Sequence, residues 1–219
     1  MTGAPTVNTA HTDGPAVAYP PAPWQLQGQA NFHLLAVQAA HLPATPDGFS
    51  PLIIGGRGLA IAGWVDYQSG SILNYGELLA AVVGRWAGGL SATVTHMWVD
   101  SPESCAGGRE LWGYPKRVAT FELAINPSGT ARACEPGGAE LARGSFQSLI
   151  IAPWSIGRTG GTVQPLNGRL VGVRSRVRSR PALGRGSISA PPDSPLAFVN
   201  GARRLISFGL RDVEFTFGI

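Results

Sequence analysis

The chain has 219 residues, of which 17 are basic and 13 acidic for a formal net charge of +4; 44% are apolar, 14% charged, 30 are glycine and 18 proline. That length and apolar content suit one globular domain with a sizeable core and exclude a disordered chain. The modest positive charge comes without a basic cluster interleaved with aromatics, so no nucleic-acid partner is expected.

Residues 1 to 20, rich in Ala, Pro, Thr and Gly, read as a flexible arm ahead of a single domain over 21 to 219. They lack a basic start followed by an apolar run, and no later stretch approaches membrane-spanning length, so a cytoplasmic protein with no membrane partner is expected. From "PPAPWQLQG" onward, short apolar and β-branched segments are punctuated by Gly, Pro, Asn and Asp. In order they are "NFHLLAVQ", "GLAIAGWVDY", "ELLAAVVGRW", "LSATVTHMWVD", "RVATFELAIN", "SFQSLIIAPW", "GRLVGVRSRVRSR" and "RRLISFGLRDVEFTFGI". The best helix candidate is "DSPESCAGGREL", with Ser101 as cap, Pro102 at the first helical position and Glu103 in the first turn; Gly107 and Gly108 are expected to end it early. This pattern predicts a mainly β fold, an antiparallel sheet system closed or nearly closed, with few peripheral helices. In "VRSRVRSR", Arg174, Arg176, Arg178 and Arg180 alternate, so in a strand they share one face, read as solvated or as a subunit contact.

Several motifs fail. "IIGGRGLAIAG" misplaces the third glycine of a dinucleotide loop and lacks a βαβ context. "GRTGGT" has no P-loop lysine and reads as a turn, and no Gly-x-Ser-x-Gly elbow occurs. His11, His33, His41 and His96 lack metal-ligand spacing, and Cys105 and Cys134 form no Cys-x-x-Cys pair, so no metal and no disulfide framework are expected. His96, among apolar residues in a strand, reads as a hydrogen-bonded structural histidine.

One stretch carries chemistry. Lys116 is the sole lysine beside sixteen arginines. A surface charge can be arginine at no cost, whereas only lysine offers an amine able to lose its proton and attack a carbonyl. In "GGRELWGYPKR" it follows a Tyr-Pro pair that holds Tyr114 extended, and the rings of Trp112 and Tyr114 can strip water from the amine, which favours its neutral form. Arg117 can add a repelling charge, weakened because neighbouring side chains of an extended segment point apart.

The run "AGGRELWGYPKR" resembles the signature of the acetoacetate decarboxylase family, Gly-Arg-Glu-x-x-x-Tyr/Phe-Pro-Lys-Lys. "PWQLQGQANF", "LNYGE", "THMWVDSPES" and "VNGARRLISFGLRDVEFTFG" are similar to further family segments in the same order, so the likeness spans most of residues 21 to 219. It implies a β-rich cone or barrel, an iminium-forming Lys116, Arg117 as its neighbouring cation, and Glu77 as the active-site carboxylate. Gln29 falls where the decarboxylases carry an arginine, and Ala62, counted back from Glu77, where they carry a second glutamate. Gln29, Arg117, Trp112 and Tyr114 are then assigned to substrate binding or to tuning the amine, and Arg109 and Glu110 to bracing the turn.

The implied activity is Schiff-base lyase chemistry on a small keto acid, with decarboxylation of a β-keto acid such as acetoacetate first. No cofactor beyond the covalent imine is implied, and a homo-oligomer is expected. A Schiff-base aldolase or dehydratase acting on α-keto acids, or a non-catalytic binder of carbonyl ligands, are the alternatives.

Overall fold

The computed structural model describes residues 8–10 and 17–219. Among them the strands are β1 (Asn8–Ala10), β2 (Val17–Tyr19), β3 (Trp24–Gln38), β4 (Ser50–Pro51), β5 (Ile53–Ile54), β6 (Arg57–Tyr67), β7 (Tyr75–Trp86) and β8 (Gly89–Val99). There follow β9 (Lys116–Val118), β10 (Thr120–Ala124), β11 (Gly129–Cys134), β12 (Glu140–Ile151), β13 (Ile156–Leu166), β14 (Arg169–Ser189) and β15 (Arg203–Phe217). The α-helix, α1 (Pro102–Trp112), lies between β8 and β9. No helix among the described residues is long and apolar enough to cross a membrane.

β1 and β2 form a two-stranded antiparallel ribbon; the rest of the arm expected over residues 1 to 20, at 1–7 and 11–16, lies outside the described residues. The remaining strands make one sheet, ordered β10-β11-β12-β14-β15-β3-β6-β7-β8-β9, with β13 on β14, β4 on β7 and β5 on β6. The mainly β architecture with few helices is as expected. The sheet is mixed rather than wholly antiparallel, because β8 and β9 run parallel, and its hydrogen-bonded path is not closed. The two end strands of that path, β9 and β10, are separated in the chain by Ala119 alone, whose N–H donates to the Val99 carbonyl at 2.9 Å.

Alternation along the strands sorts side chains between two cores. On β3, β6 and β7 one set, including Trp24, Leu26, Phe32, Ile61, Val65 and Tyr67, packs in a first cluster around a cavity. The intervening set, including Leu35, Ala62, Trp64, Leu78 and Ala80, packs in a second cluster with Leu141 and Leu196. On β8 the pairing with β7 shifts between His96 and Val94, so Thr95 is an extra residue. This bulge lets Ala92, Val94 and Met97 all face the cavity despite their mixed parity.

Two local expectations need correction. α1 starts as predicted, with Ser101 Oγ accepting from the Ser104 N–H at 3.0 Å, but it continues through Gly107 and Gly108. Tertiary crowding overrides their poor helix propensity. A Cβ at Gly107 would lie 2.5 Å from the Trp24 ring, and one at Gly108 would lie 2.6 Å from the Lys116 stem. The helix ends instead at Gly113, left-handed at φ 71°, with Tyr114 N–H returning to the Gly108 carbonyl at 3.1 Å. "GRTGGT", residues 157–162, is part of strand β13 and not a turn. Its Gly161 lies so close to the Val173 carbonyl across the β13–β14 pair that a Cβ would fall 2.2 Å from that oxygen.

The arginine-rich segment behaves as its spacing predicts. Arg174, Arg176 and Arg178 are exposed on one face of β14, with Arg180 half-buried; Arg178 pairs with Glu214 at 3.3 Å and Arg180 with Asp212 at 3.1 Å. His96 is hydrogen-bonded to Thr95 Oγ1 at 3.0 Å and stacked on Trp98 at 5.9 Å, the structural role expected of it.

Candidate active site

Parallel neighbours need a crossover, and α1 with the Gly113–Pro115 turn supplies it between β8 and β9. The register sets Lys116 beside Met97 and Glu77 beside Val99, so the two side chains approach across β8 on one face. Three contacts fix the lysine backbone. Arg109 Nε donates to its carbonyl at 2.7 Å, the Cys105 thiol to the same carbonyl at 3.4 Å, and its own N–H donates to the Tyr114 carbonyl at 2.8 Å. Gly108 leaves space for the stem that carries the amine inward.

Lys116 Nζ lies 3.2 Å from Glu77 Oε2, each side chain 4% exposed. The amine also donates to Ser104 Oγ at 2.8 Å and to the Tyr75 hydroxyl at 3.4 Å, and sits over the Tyr75 and Trp24 rings at 4.9 and 6.0 Å. Lys116, Glu77, Tyr75 and Trp24 stand in the wall of a cavity of about 270 Å³ whose other walls are almost wholly aliphatic and aromatic. Trp24 and Trp112 meet edge to face at 4.8 Å, and Phe215 stacks on Phe217 at 5.2 Å. Among the described residues that line the cavity, Lys116 and Glu77 are the only formally charged groups.

Three phenols edge this pair and remain protonated. Burial first, and the Glu77 carboxylate second, push the Tyr67 and Tyr75 hydroxyls well above their ordinary range. Tyr114 is pushed up to about 12 by burial, against the opposing effect of its hydrogen bond with Thr162 Oγ1 at 2.9 Å. At neutral pH the site therefore offers hydroxyl donors and a single carboxylate facing a single amine, an arrangement suited to moving protons around a reacting carbonyl.

The residues singled out from sequence fall into different places. Lys116, Glu77, Trp112 and Tyr114 all line the cavity. Arg109 braces the turn through its bond to the Lys116 carbonyl, whereas Glu110 is exposed. Arg117 is exposed on the far side of β9, and its charge acts on His96, whose basicity burial and then Arg117 lower. Gln29 does not line the cavity. Alternation puts it on the opposite face of β3 from Leu26 and Phe32, where its side-chain oxygen accepts from the Asp212 N–H at 3.3 Å.

Ala62 likewise faces the second core, and the neighbouring Ile61 faces the cavity, since a shift of one residue exchanges the faces of a strand. Among the described residues no arginine lines the cavity. Arg211 is buried behind its wall, donating to the Ala30 and Pro127 carbonyls at 2.9 and 2.8 Å and to Asn31 Oδ1 at 2.7 Å, with burial lowering its pKa to about 10.

Ser104, Tyr75, Tyr67 and Trp24 belong to the site and were not singled out. Tyr75 was within reach, because it stands two residues before Glu77 in "LNYGE" and so shares its face in a strand. Ser104 lies three residues beyond its helix cap, but nothing local says that this face meets the lysine. Among the described residues no cluster of three His, Cys, Asp or Glu side chains could hold a metal ion.

Comparisons with known proteins bear on the fold. The solved acetoacetate decarboxylase of Legionella pneumophila is similar at a TM-score of 0.64 and 14% identity, covering 90% of this chain and 86% of its own. The enduracididine biosynthesis enzyme MppR, complexed with pyruvate, is similar at 0.60 and 18%, covering 90% and 87%. An acetoacetate decarboxylase-like enzyme from Sphingomonas wittichii RW1 is similar at 0.62 and 18%, covering 90% and 91%. No curated protein matches the sequence. Residues 44–153, half of the chain and inclusive of Glu77 and the whole Lys116 motif, match the family model of acetoacetate decarboxylase. With that match joined to the shared fold, the chain belongs to the acetoacetate decarboxylase family.

Proposed function

We propose that the protein is a Schiff-base lyase in which Lys116 forms an iminium with a ketone, and that its reaction is decarboxylation of a β-keto acid. The observation that carries this reading is the buried Lys116–Glu77 pair, 3.2 Å apart at the wall of an apolar cavity. Glu77 takes a proton from the ammonium, and the freed amine adds to the ketone carbon. The carbinolamine loses its hydroxyl as water with a proton returned from Glu77, leaving the iminium beside the carboxylate.

The electron pair of the bond to the carboxylate then moves into the iminium, carbon dioxide leaves, and an enamine remains. Protonation at carbon and attack by water release the ketone and restore the lysine. The imine is itself the electron sink, so the reaction as proposed calls for no separate cofactor. Tyr75 and Ser104, both within hydrogen-bond reach of Nζ, orient the amine for its attack on the ketone.

Incubation with acetoacetate, borohydride reduction and peptide mapping tests this. The expected adduct sits on Lys116 and is absent from Lys116→Arg, which keeps the charge but cannot form the imine. An unmodified Lys116 under saturating ketone refutes the proposal. The absence of arginine from the cavity lining supports a second reading, in which the same enamine serves aldol condensation, dehydration or retro-aldol cleavage. Enzymatic release of carbon dioxide from a β-keto acid would reject that reading.

A further inference from the structure

We propose that the cavity selects carbonyl substrates with an uncharged apolar tail of about five carbons or a phenyl ring beyond the reacting ketone, and rejects those with a second anionic group. The proposal takes its reacting head from the imine reading above; the tail rests on the cavity alone. An apolar cavity of about 150 Å³ accommodates benzene, so one of about 270 Å³ suits roughly 11 non-hydrogen atoms. Acetoacetate would leave roughly a third of that volume without partner atoms, whereas 3-oxooctanoate or benzoylacetate fills it.

Depth agrees with volume. The lining on β7 runs from Glu77 through Leu79 to Ala81, about 13 Å at roughly 3.3 Å per residue. Ile61 lies opposite Ala81 on β6, Val94 opposite it on β8, and Phe208 stands on β15. Among the described lining residues none at this end bears a charge, so a tail carboxylate or phosphate would give up part of its hydration without gaining a partner, which is disfavoured. The charged groups are confined to Lys116 and Glu77, where the reacting carbonyl and the carboxylate it loses would lie.

The experiment compares acetoacetate, 3-oxohexanoate, 3-oxooctanoate, benzoylacetate and oxaloacetate by borohydride trapping rate and by kcat/KM. In parallel, butylbenzene, which has no carbonyl, is titrated calorimetrically into the protein. A gain of roughly fourfold per added methylene is expected, about 200-fold from acetoacetate to 3-oxooctanoate, with oxaloacetate the poorest. Ala92→Phe, which fills the far end of the cavity, is expected to bring the ratio of kcat/KM for 3-oxooctanoate to that for acetoacetate down to about one. Ala81→Leu serves if the first variant does not fold.

Equal or better handling of acetoacetate or oxaloacetate overturns the inference even if Lys116 is trapped. Butylbenzene binding that Ala92→Phe or Ala81→Leu abolishes sustains it even if no keto acid is trapped, in which case the imine reading alone falls. Absence of both a chain-length trend and butylbenzene binding overturns the inference.

Discussion

Removing one member of the Lys116–Glu77 pair tests how far this site depends on its partners. At 3.2 Å and an effective dielectric of 20, the attraction between the two charges is about 5 kcal/mol. Each side chain is 4% exposed, so water cannot replace a missing partner. Lys116→Met leaves Glu77 facing an apolar cavity, and Glu77→Leu leaves the ammonium with Ser104 and Tyr75 as its hydrogen-bond acceptors. Either change is expected to lower unfolding free energy by about 3 to 5 kcal/mol.

The double variant removes both charges and restores an apolar wall, so it should lie within about 1 to 2 kcal/mol of the parent. Urea unfolding of all four proteins at pH 7 measures the cycle. Strong non-additivity, with the double variant more stable than either single one, is the expected result. Effects that add within about 0.5 kcal/mol would refute the reasoning, since they would mean that the two groups do not interact in the folded protein.

The paired helix glycines should separate stability from chemistry. Gly107→Ala presses a methyl group onto the Trp24 ring and should cost about 1 to 3 kcal/mol in urea unfolding, despite alanine's better helix propensity. Gly108→Ala meets only the Lys116 stem, so the fold should survive while displacement of the amine lowers the trapping rate about tenfold or more. For pH dependence the informative residue is His33, buried and bonded through Nδ1 to Ser207 Oγ at 2.9 Å, with its pKa lowered by burial and then by Arg204 from 6.5 to about 4. The unfolded imidazole takes its proton near pH 6.5 and the folded one near 4, so stability falls as pH drops through that window, by about 3 kcal/mol. In His33→Gln that part of the loss should vanish in unfolding curves taken at pH 7 and pH 4; an unchanged pH slope would show that His33 is not its source.

What could be read from sequence was what depends on spacing. The alternation of apolar residues identified most strands, and the arginines at 174, 176, 178 and 180 fell on one face as counted. Lys116 and Glu77 were found through composition and motif, and both line the cavity. What escaped was parity fixed by partners distant in the chain. Gln29 and Ala62 were placed by alignment position, but pairing with β15 and β7 turns Gln29 away from the cavity, still buried, and Ala62 into the second core. The helix outran its glycines because Trp24, some eighty residues earlier, packs where a Gly107 side chain would be, and the Lys116 stem where a Gly108 side chain would be. No local propensity reports a contact of that kind.

The crossover at residues 100–115 has a consequence for how this site can change over generations. Lys116 opens a strand of three residues, Lys116–Val118, in which Arg117 and Val118 are exposed and only the lysine is buried. Gaining or losing one residue in the crossover would reverse which of these side chains turns inward. Much of the protein would tolerate the change, yet the amine would point to solvent. The odd or even length of that loop thus decides which group meets Glu77, the Lys116 amine or the Arg117 guanidinium.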